Sequence, residues 1–127
     1  MTQKKVLIVD DSKLMRIIIK KILSADNSFM VTAEAGNGIE ALAEIEKDIP
    51  DIIFLDIEMP EMDGIEALKE IRAKYSTKVI VVSSVAQMGS SRAAEVNQLG
   101  ADAIIEKPGG AVDPTLATQK GKEFIEI

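Results

Sequence analysis

Five side chains that could together handle a phosphoryl group each come at the end of a short apolar run. They are Asp10, Asp11, Asp56, Ser83 and Lys107. Neighbouring carboxylates can hold a hard divalent cation, a lysine ammonium can pair with phosphate oxygens, and a serine hydroxyl can donate to them. Taken singly, each residue has a structural explanation as a helix cap, a turn former or a solvated lysine. The occurrence of all five at such positions favours chemistry, with Asp56 as the nucleophile that takes the phosphoryl group.

The run that leads to Asp56 predicts a strand buried on both faces of a parallel sheet. Ile52 to Leu55 is wholly apolar, and Pro60 closes the segment that follows. Runs this short and apolar, bounded by turn residues, are typical of such strands. Ligands bind at the carboxyl ends of strands in open α/β sheets, so Asp56 is placed where a ligand would lie.

The rest of the chain alternates between strand and helix patterns. Strands are predicted over 6–9, 30–35, 52–56, 79–82 and 103–105, and helices over 13–25, 37–49, 63–74, 93–99 and from 114 towards 127. Ser12 and Asn37 are suited to begin helices, and Gly100 to end one. The residues expected to face inward are Ile39, Leu42 and Ile45 in the second helix, and Ile65, Leu68 and Ile71 in the third.

This alternation predicts an α/β fold, a (βα)5 three-layer sandwich with a parallel sheet between two layers of helices. The flavodoxin-like strand order 2-1-3-4-5 suits five strands and makes the first, third and fourth neighbours. Asp10, Asp11 and Asp56 would then converge on one edge of the sheet. Carboxylates this close repel one another, and a hard dication relieves the repulsion, so Mg²⁺ is the predicted cofactor.

The composition limits the other possibilities. A length of 127 residues predicts one domain, residues 1–127. The net charge of -6 and the 3% of aromatic residues argue against nucleic-acid binding. The chain has no cysteine and no histidine, which excludes disulfides, thiolate chemistry and histidine ligands. Because no apolar run approaches the length of a membrane span, we expect no membrane insertion and a cytoplasmic location.

Together, these motifs resemble the response-regulator receiver domains of two-component signalling over almost the whole chain. The matching segments are Val9-Asp10-Asp11-Ser12, Leu55-Asp56-Ile57-Glu58-Met59-Pro60, Met62-Asp63-Gly64, Ser83-Ser84 and Lys107-Pro108. The resemblance implies that Asp56 accepts a phosphoryl group from the phosphohistidine of a sensor histidine kinase. It further implies the following roles: Asp11 as a direct Mg²⁺ ligand, Asp10 as a ligand through water, the Glu58 carbonyl as a further ligand, and Ser83 and Lys107 as partners of the phosphoryl group.

Two further segments resemble one branch of the family. Ser83-Ser84-Val85, with Gln87-Met88-Gly89, and Glu106-Lys107-Pro108-Gly109-Gly110 are similar to the receiver half of chemotaxis protein-glutamate methylesterases. Many receivers carry an aromatic residue three positions before the lysine, whereas this chain has Ile104. We therefore expect a packing shift instead of an aromatic rotation. We also expect a cis Lys107–Pro108 bond by the same resemblance.

The expected output surface comprises the fourth helix, the fifth strand and the fifth helix. Its partner would be an output protein or a tethered effector domain.

Several functions remain open from the sequence. The chain could be the regulatory half of a methylesterase or a complete single-domain regulator. A Mg²⁺-dependent aspartyl-phosphate hydrolase would use similar residues, but it commonly carries Asp-x-Asp on one strand end and a lid for its substrate. A flavin-binding fold would want a phosphate-binding loop and more aromatic residues.

Overall fold

The computed structural model describes residues 3–25, 28–57, 64–83 and 91–106. Five strands form one sheet: β1 (Lys4–Val9), β2 (Phe29–Ala35), β3 (Ile52–Asp56), β4 (Lys78–Ser83) and β5 (Ala103–Glu106). All four strand pairs are parallel, and the order is β2-β1-β3-β4-β5. The predicted α/β fold and its strand order are confirmed.

Four helices lie within the described residues: α1 (Lys13–Ser24), α2 (Gly38–Lys47), α3 (Gly64–Lys74) and α4 (Ser91–Gln98). The Ser12 hydroxyl accepts from the amide of Met15 at 3.2 Å, which caps α1 as predicted. The Asn37 side chain accepts from the amide of Glu40 at 2.8 Å and caps α2. The helix predicted from Pro114 lies outside the described residues.

Strand β3 is the centre of the sheet, with all five of its residues buried. Its apolar run has no polar alternation because helices cover both faces of a parallel sheet. The register sets the functional edge, since Val9 pairs with Leu55 and Asp56 pairs with Val82. The residue after Val9 is Asp10, so Asp10 emerges beside Asp56.

The sheet separates two apolar clusters. One lies under α2, α3 and α4 and includes Leu7, Val9, Ile45, Ile53, Leu55, Leu68, Ile71, Val79, Val81 and Val96. The other lies on the α1 side and includes Val6, Ile8, Ile19, Leu23, Ile52, Phe54, Ile80, Val82 and Ile105. Successive strand residues enter opposite clusters, as the pleat of a strand requires.

A bulge in β2 breaks this alternation. Val6 pairs with Val31, but Leu7 pairs with Ala33, so Thr32 is an extra residue on the edge strand. The extra residue moves the side chains that follow it to the opposite faces of the sheet. Phe29 therefore packs with the α1 cluster, whereas Ala33 packs with the other one. The same change turns Glu34 towards α1.

The prediction for the inner face of α2 is partly wrong. Ile45 is fully buried, and Leu42 packs against the core, but Ile39 is 53% exposed. Gly38, Ala41 and Ile45 form the inward line of this helix, at a spacing of three and four residues. Ile39 is one residue beyond Gly38 and is therefore turned about 100° away from that line. Ile65, Leu68 and Ile71 of α3 are buried as predicted.

Within the described residues, no helix combines the length and the apolar content needed to cross a membrane.

Candidate functional site

Three acidic side chains meet at the carboxyl edge of the sheet. Asp10, Asp11 and Asp56 each present a carboxylate oxygen, and these oxygens all lie within 4.8 Å of one another. Asp10 is completely buried and Asp56 is 3% exposed, whereas Asp11 is exposed to solvent. The cluster is therefore closed on its protein side and open on the side of Asp11.

The turn after β1 places the first two acids. The amide of Asp10 donates to the carbonyl of Ala35 at 3.0 Å, which extends the pairing with β2 by one bond. The Asp10 carboxylate then accepts from the amide of Ser12 at 2.8 Å. This local bond folds the chain over Asp11, as an Asx turn does. Asp11 consequently stands at the tip of a turn whose two sides are held by hydrogen bonds.

Gly64 determines how closely α3 approaches Asp56. The amide of Gly64 donates to the carbonyl of Ile57 at 2.7 Å. A Cβ atom on residue 64 would lie 2.1 Å from the carbonyl oxygen of Asp56 and 2.6 Å from the Cα of Ile57. These distances leave no room for a side chain, so the first residue of α3 must be glycine for the backbone of Asp56 to keep its position.

Arg16 of α1 also reaches the site, although no pattern in the sequence singles it out. Its Nη1 donates to the carbonyl oxygen of Asp10 at 2.5 Å. Its Nε donates to Glu34 at 3.0 Å, and Lys20 pairs with the other oxygen of Glu34 at 2.6 Å. Arg16 and Lys20 have the same charge and both lie on α1, and only the position of β2 distinguishes them. No sequence signal could have done so.

These ion pairs change the acidity of Glu34. The hydrogen bond from Lys20 and, more weakly, that from Arg16 hold the pKa of Glu34 below its usual value, against the opposing effect of partial burial. Glu34 therefore remains ionised beside Arg16 at neutral pH.

The oxygen donors of the cluster suit a hard divalent cation. Asp10, Asp11 and Asp56 supply only carboxylate oxygens, and Mg²⁺ binds through one or two such groups together with water and phosphate oxygens. Two buried carboxylates beside a third are costly without a compensating positive charge. The exposed side at Asp11 leaves room for water or a phosphoryl group. The residues present therefore fit such an ion.

The other predicted site residues are placed less completely. Strand β4 ends at Ser83, which pairs with Glu106 at the end of β5 and follows Val82, the partner of Asp56. The hydroxyl of Ser83, the carbonyl of Glu58, the ammonium of Lys107 and the Lys107–Pro108 bond lie outside the described residues. Ile104, which occupies the position of the aromatic switch, is half-buried and packs against the cluster under α2, α3 and α4.

Comparison with known sequences gives one family for most of the chain. The model of the response regulator receiver domain matches residues 6–117. Protein-glutamate methylesterase/protein-glutamine glutaminase 1 of Syntrophomonas wolfei is 41% identical over 112 residues, which are 88% of this chain and 32% of that protein. Protein-glutamate methylesterase/protein-glutamine glutaminase 3 of Rhodospirillum rubrum is 49% identical over 108 residues, 85% of this chain and 29% of that protein. The chain spans about a third of the length of these curated relatives.

Solved structures share the fold over nearly the whole chain. The response regulator domain of Thermotoga maritima CheB has a TM-score of 0.86 and 39% identity, with 98% of this chain and 92% of that chain covered. CheY6 of R. sphaeroides, solved in complex with the P1 domain of CheA3, gives a TM-score of 0.80 and 39% identity, with coverage of 99% and 94%. A CheX-CheY-BeF3-Mg complex from Borrelia burgdorferi has a TM-score of 0.76 and 29% identity, with 96% of this chain and 89% of that chain covered.

Proposed function

The chain belongs to the response regulator receiver domain family, and from this membership we propose that it is a phosphoacceptor switch in which Asp56 takes a phosphoryl group in a Mg²⁺-dependent reaction. The observation that carries the proposal is the convergence of Asp10, Asp11 and Asp56, whose carboxylate oxygens lie within 4.8 Å of one another. An isolated aspartate at a strand end would serve as a cap, but three together form a site for a cation and a phosphoryl group.

In the proposed reaction, a carboxylate oxygen of Asp56 attacks the phosphorus of a phosphohistidine on a sensor kinase. An O–P bond forms on Asp56 as the P–N bond breaks, and the bonding electron pair returns to the imidazole nitrogen of the donor. Asp10 and Asp11, with Asp56 and the Glu58 carbonyl, would hold Mg²⁺, which would offset the negative charge shared by the donor and the cluster. Ser83 and Lys107 would bind the transferred phosphoryl oxygens.

The burial of Asp56 supports its role as acceptor. Its side chain is 3% exposed, and it ends a strand whose five residues are all buried. Such a position excludes bulk water from most directions, which orients the nucleophile and slows loss of the acyl phosphate by hydrolysis. The exposed Asp11 marks the open side from which the donor would approach.

The pathway we propose is chemotaxis. The methylesterase relatives match this chain over about a third of their own length, and the response regulator domain of CheB shares its fold at a TM-score of 0.86. We propose that the chain is the regulatory half of a protein-glutamate methylesterase acting in the cytoplasm. The alternative is a single-domain regulator that acts through protein contacts, and the similar CheY proteins, which were solved in complexes with other proteins, support it.

The proposed output surface comprises α4, β5 and the helix predicted after Pro114. Ser83 and Glu106 pair at the ends of β4 and β5, so movement of Ser83 towards Asp56 would act directly on β5. Ile104 lies in that strand, half-buried, and could shift where other receivers rotate an aromatic ring. An effector domain or a separate output protein would bind the altered surface.

The test is phosphorylation by a small acyl-phosphate donor, measured by intact-protein mass spectrometry with and without Mg²⁺. We expect the wild-type protein to gain one phosphoryl group only when Mg²⁺ is present, and Asp56→Asn to gain none. Equal uptake by both proteins would show that Asp56 is not the acceptor. Uptake by the wild type in excess chelator would contradict the cation requirement.

A further inference from the structure

Arg16 holds the peptide that joins the two acids of the β1 turn. Its Nη1 donates to the carbonyl oxygen of Asp10 at 2.5 Å. That carbonyl belongs to the Asp10–Asp11 peptide, and a peptide unit is planar. Fixing its oxygen therefore fixes the direction in which the chain continues to the Cα of Asp11. Asp10 and Asp11, the two clustered acids of this turn, are the residues that this peptide bond joins.

We infer that Arg16 is a positioning residue for the divalent-cation site, acting through the Asp10–Asp11 peptide; this inference rests on the proposed function of the acidic cluster. Asp11 needs such support because it is exposed and lies at the tip of the turn. The bond from the Ser12 amide to the Asp10 carboxylate holds the turn on one side, and the bond from Arg16 holds it on the other.

Glu34 gives the guanidinium a fixed orientation. The Nε of Arg16 donates to Glu34 at 3.0 Å while Nη1 reaches Asp10, so two edges of one rigid plane are held at once. The Arg16 side chain is only 18% exposed. Lysine could not replace this arrangement, because a single ammonium at the end of a flexible stem presents no rigid fork to reach both acceptors.

The ion pair between Arg16 and Glu34 makes it possible to distinguish a positioning role of Arg16 from an effect of its charge. A guanidinium beside an acidic cluster would by charge alone compete with a divalent cation. Glu34 offsets this charge, and its pKa is held low by Lys20 and Arg16, so it stays ionised at neutral pH. When Arg16 is replaced by a neutral residue, a positioning role therefore predicts weaker Mg²⁺ binding, whereas a charge role predicts tighter binding.

The chain provides a matched control at the other edge of the sheet. Arg72 of α3 is 22% exposed and donates to the carbonyl of Gly100 at 2.8 Å, to that of Thr77 at 2.7 Å and to Asp102 at 2.6 Å. It is as well anchored as Arg16 but contacts none of the three clustered acids. Arg72→Gln should therefore reduce stability without changing the affinity for the cation.

The experiment is a titration of the 127-residue chain with Mg²⁺ alone, followed by the amide NMR shifts of Asp11 and Ser12. We expect Arg16→Gln to weaken Mg²⁺ binding by about three- to tenfold, the net value of one ordinary hydrogen bond. Arg16→Lys keeps the charge and should weaken binding by a similar factor. Arg72→Gln should bind Mg²⁺ like the wild type, although both arginine variants should unfold at lower temperature.

Other results would overturn the inference. Tighter binding by Arg16→Gln, with wild-type affinity in Arg16→Lys, would mean that Arg16 acts through its charge. Wild-type affinity in both variants would mean that Arg16 serves stability alone. If Arg16→Gln does not fold, Arg16→Lys gives the answer: weaker Mg²⁺ binding supports a positioning role, and wild-type affinity rules it out. If the wild-type protein does not bind Mg²⁺, or Asp56→Asn binds it equally well, the proposed function fails first, and that result is distinct from a failure of the role of Arg16.

Discussion

The two edges of the sheet use carboxylates in opposite ways. At the amino edge, Asp102 accepts from Arg72 at 2.6 Å and from the amide of Val79 at 2.8 Å, so its charge is used to join α3, β4 and β5. At the carboxyl edge, Asp10, Asp11 and Asp56 stand against one another, within 4.8 Å. The first arrangement stabilises the fold, whereas the second concentrates negative charge that a cation can use.

The arginines show the same contrast. Both arginines donate to backbone carbonyls and to a carboxylate, but the carboxylate bound by Arg72 is Asp102 at its own edge, whereas Arg16, beside the acidic cluster, pairs with Glu34. An arginine that bound the clustered carboxylates would occupy the place of the cation. This contrast supports the proposed ligand site at the carboxyl edge, because functional sites commonly form at the expense of stability.

The largest expected effect tests how closely the carboxyl edge is packed. Gly64→Ala would place a Cβ atom 2.1 Å from the Asp56 carbonyl oxygen, so α3 or β3 must move. We expect a loss of about 3 kcal/mol in the free energy of unfolding, at the upper end of the usual range for overpacking. Urea denaturation measures it.

The matched control is Gly36→Ala. A Cβ atom there would meet the end of the Glu40 side chain at 3.4 Å, which is an ordinary contact. We expect little change in stability. A similar loss in both variants would show that the approach of Gly64 to Asp56 is not a special constraint of this edge.

Asp→Asn substitutions at the two edges should change the free energy of unfolding in opposite directions. Asp102→Asn removes a charge that accepts two hydrogen bonds, and because its side chain is 42% exposed we expect a loss of about 1–2 kcal/mol. Asp56→Asn removes one of three mutually repelling charges, and without Mg²⁺ we expect a gain of about 1 kcal/mol. Thermal and urea unfolding in chelator measure both.

Addition of Mg²⁺ makes this comparison sharper. The cation should stabilise the wild type and Asp102→Asn, because it binds the folded state, but not Asp56→Asn. Destabilisation by Asp56→Asn in chelator would mean that the cluster contributes to stability, and the contrast between the two edges would be lost.

The smallest effect concerns pH. The pKa of Glu34 is lowered in the folded protein by Lys20 and Arg16, so its ion pairs stabilise the fold above the unfolded pKa of 4.5 and lose that effect as the pH falls through the lower folded pKa. Glu34→Gln should cost about 0.5 kcal/mol at pH 7, since the pairs are partly exposed.

That difference between Glu34→Gln and the wild type should disappear below the folded pKa of Glu34, where both side chains are neutral. Unfolding free energies compared at pH 7 and at successively lower pH values measure it. A difference that persists unchanged in acid would assign the cost to lost packing instead of charge.

Local patterns of the sequence determined the elements and the position of the acids. The apolar run before Asp56 indicated a fully buried central strand, and β3 is buried at every residue. Ser12 and Asn37 indicated helix starts, and both cap as expected. These features depend on residues within a few positions of one another, so the sequence carries them directly. The strand order brought Asp10, Asp11 and Asp56 to one edge, where the structure places them.

Only the tertiary structure decided how that edge is held. Nothing in the sequence marks Thr32 as an extra residue in β2, yet the register around it turns Glu34 towards α1 and so selects Arg16. The same is true of Gly64: a side chain there is excluded by its contact with the backbone of Asp56, which the local sequence does not show. Ile39 was misassigned for a related reason, because the inward line of α2 depends on where the helix rests on the sheet. These choices depend on the register and approach of segments far apart in the chain, which no local spacing encodes.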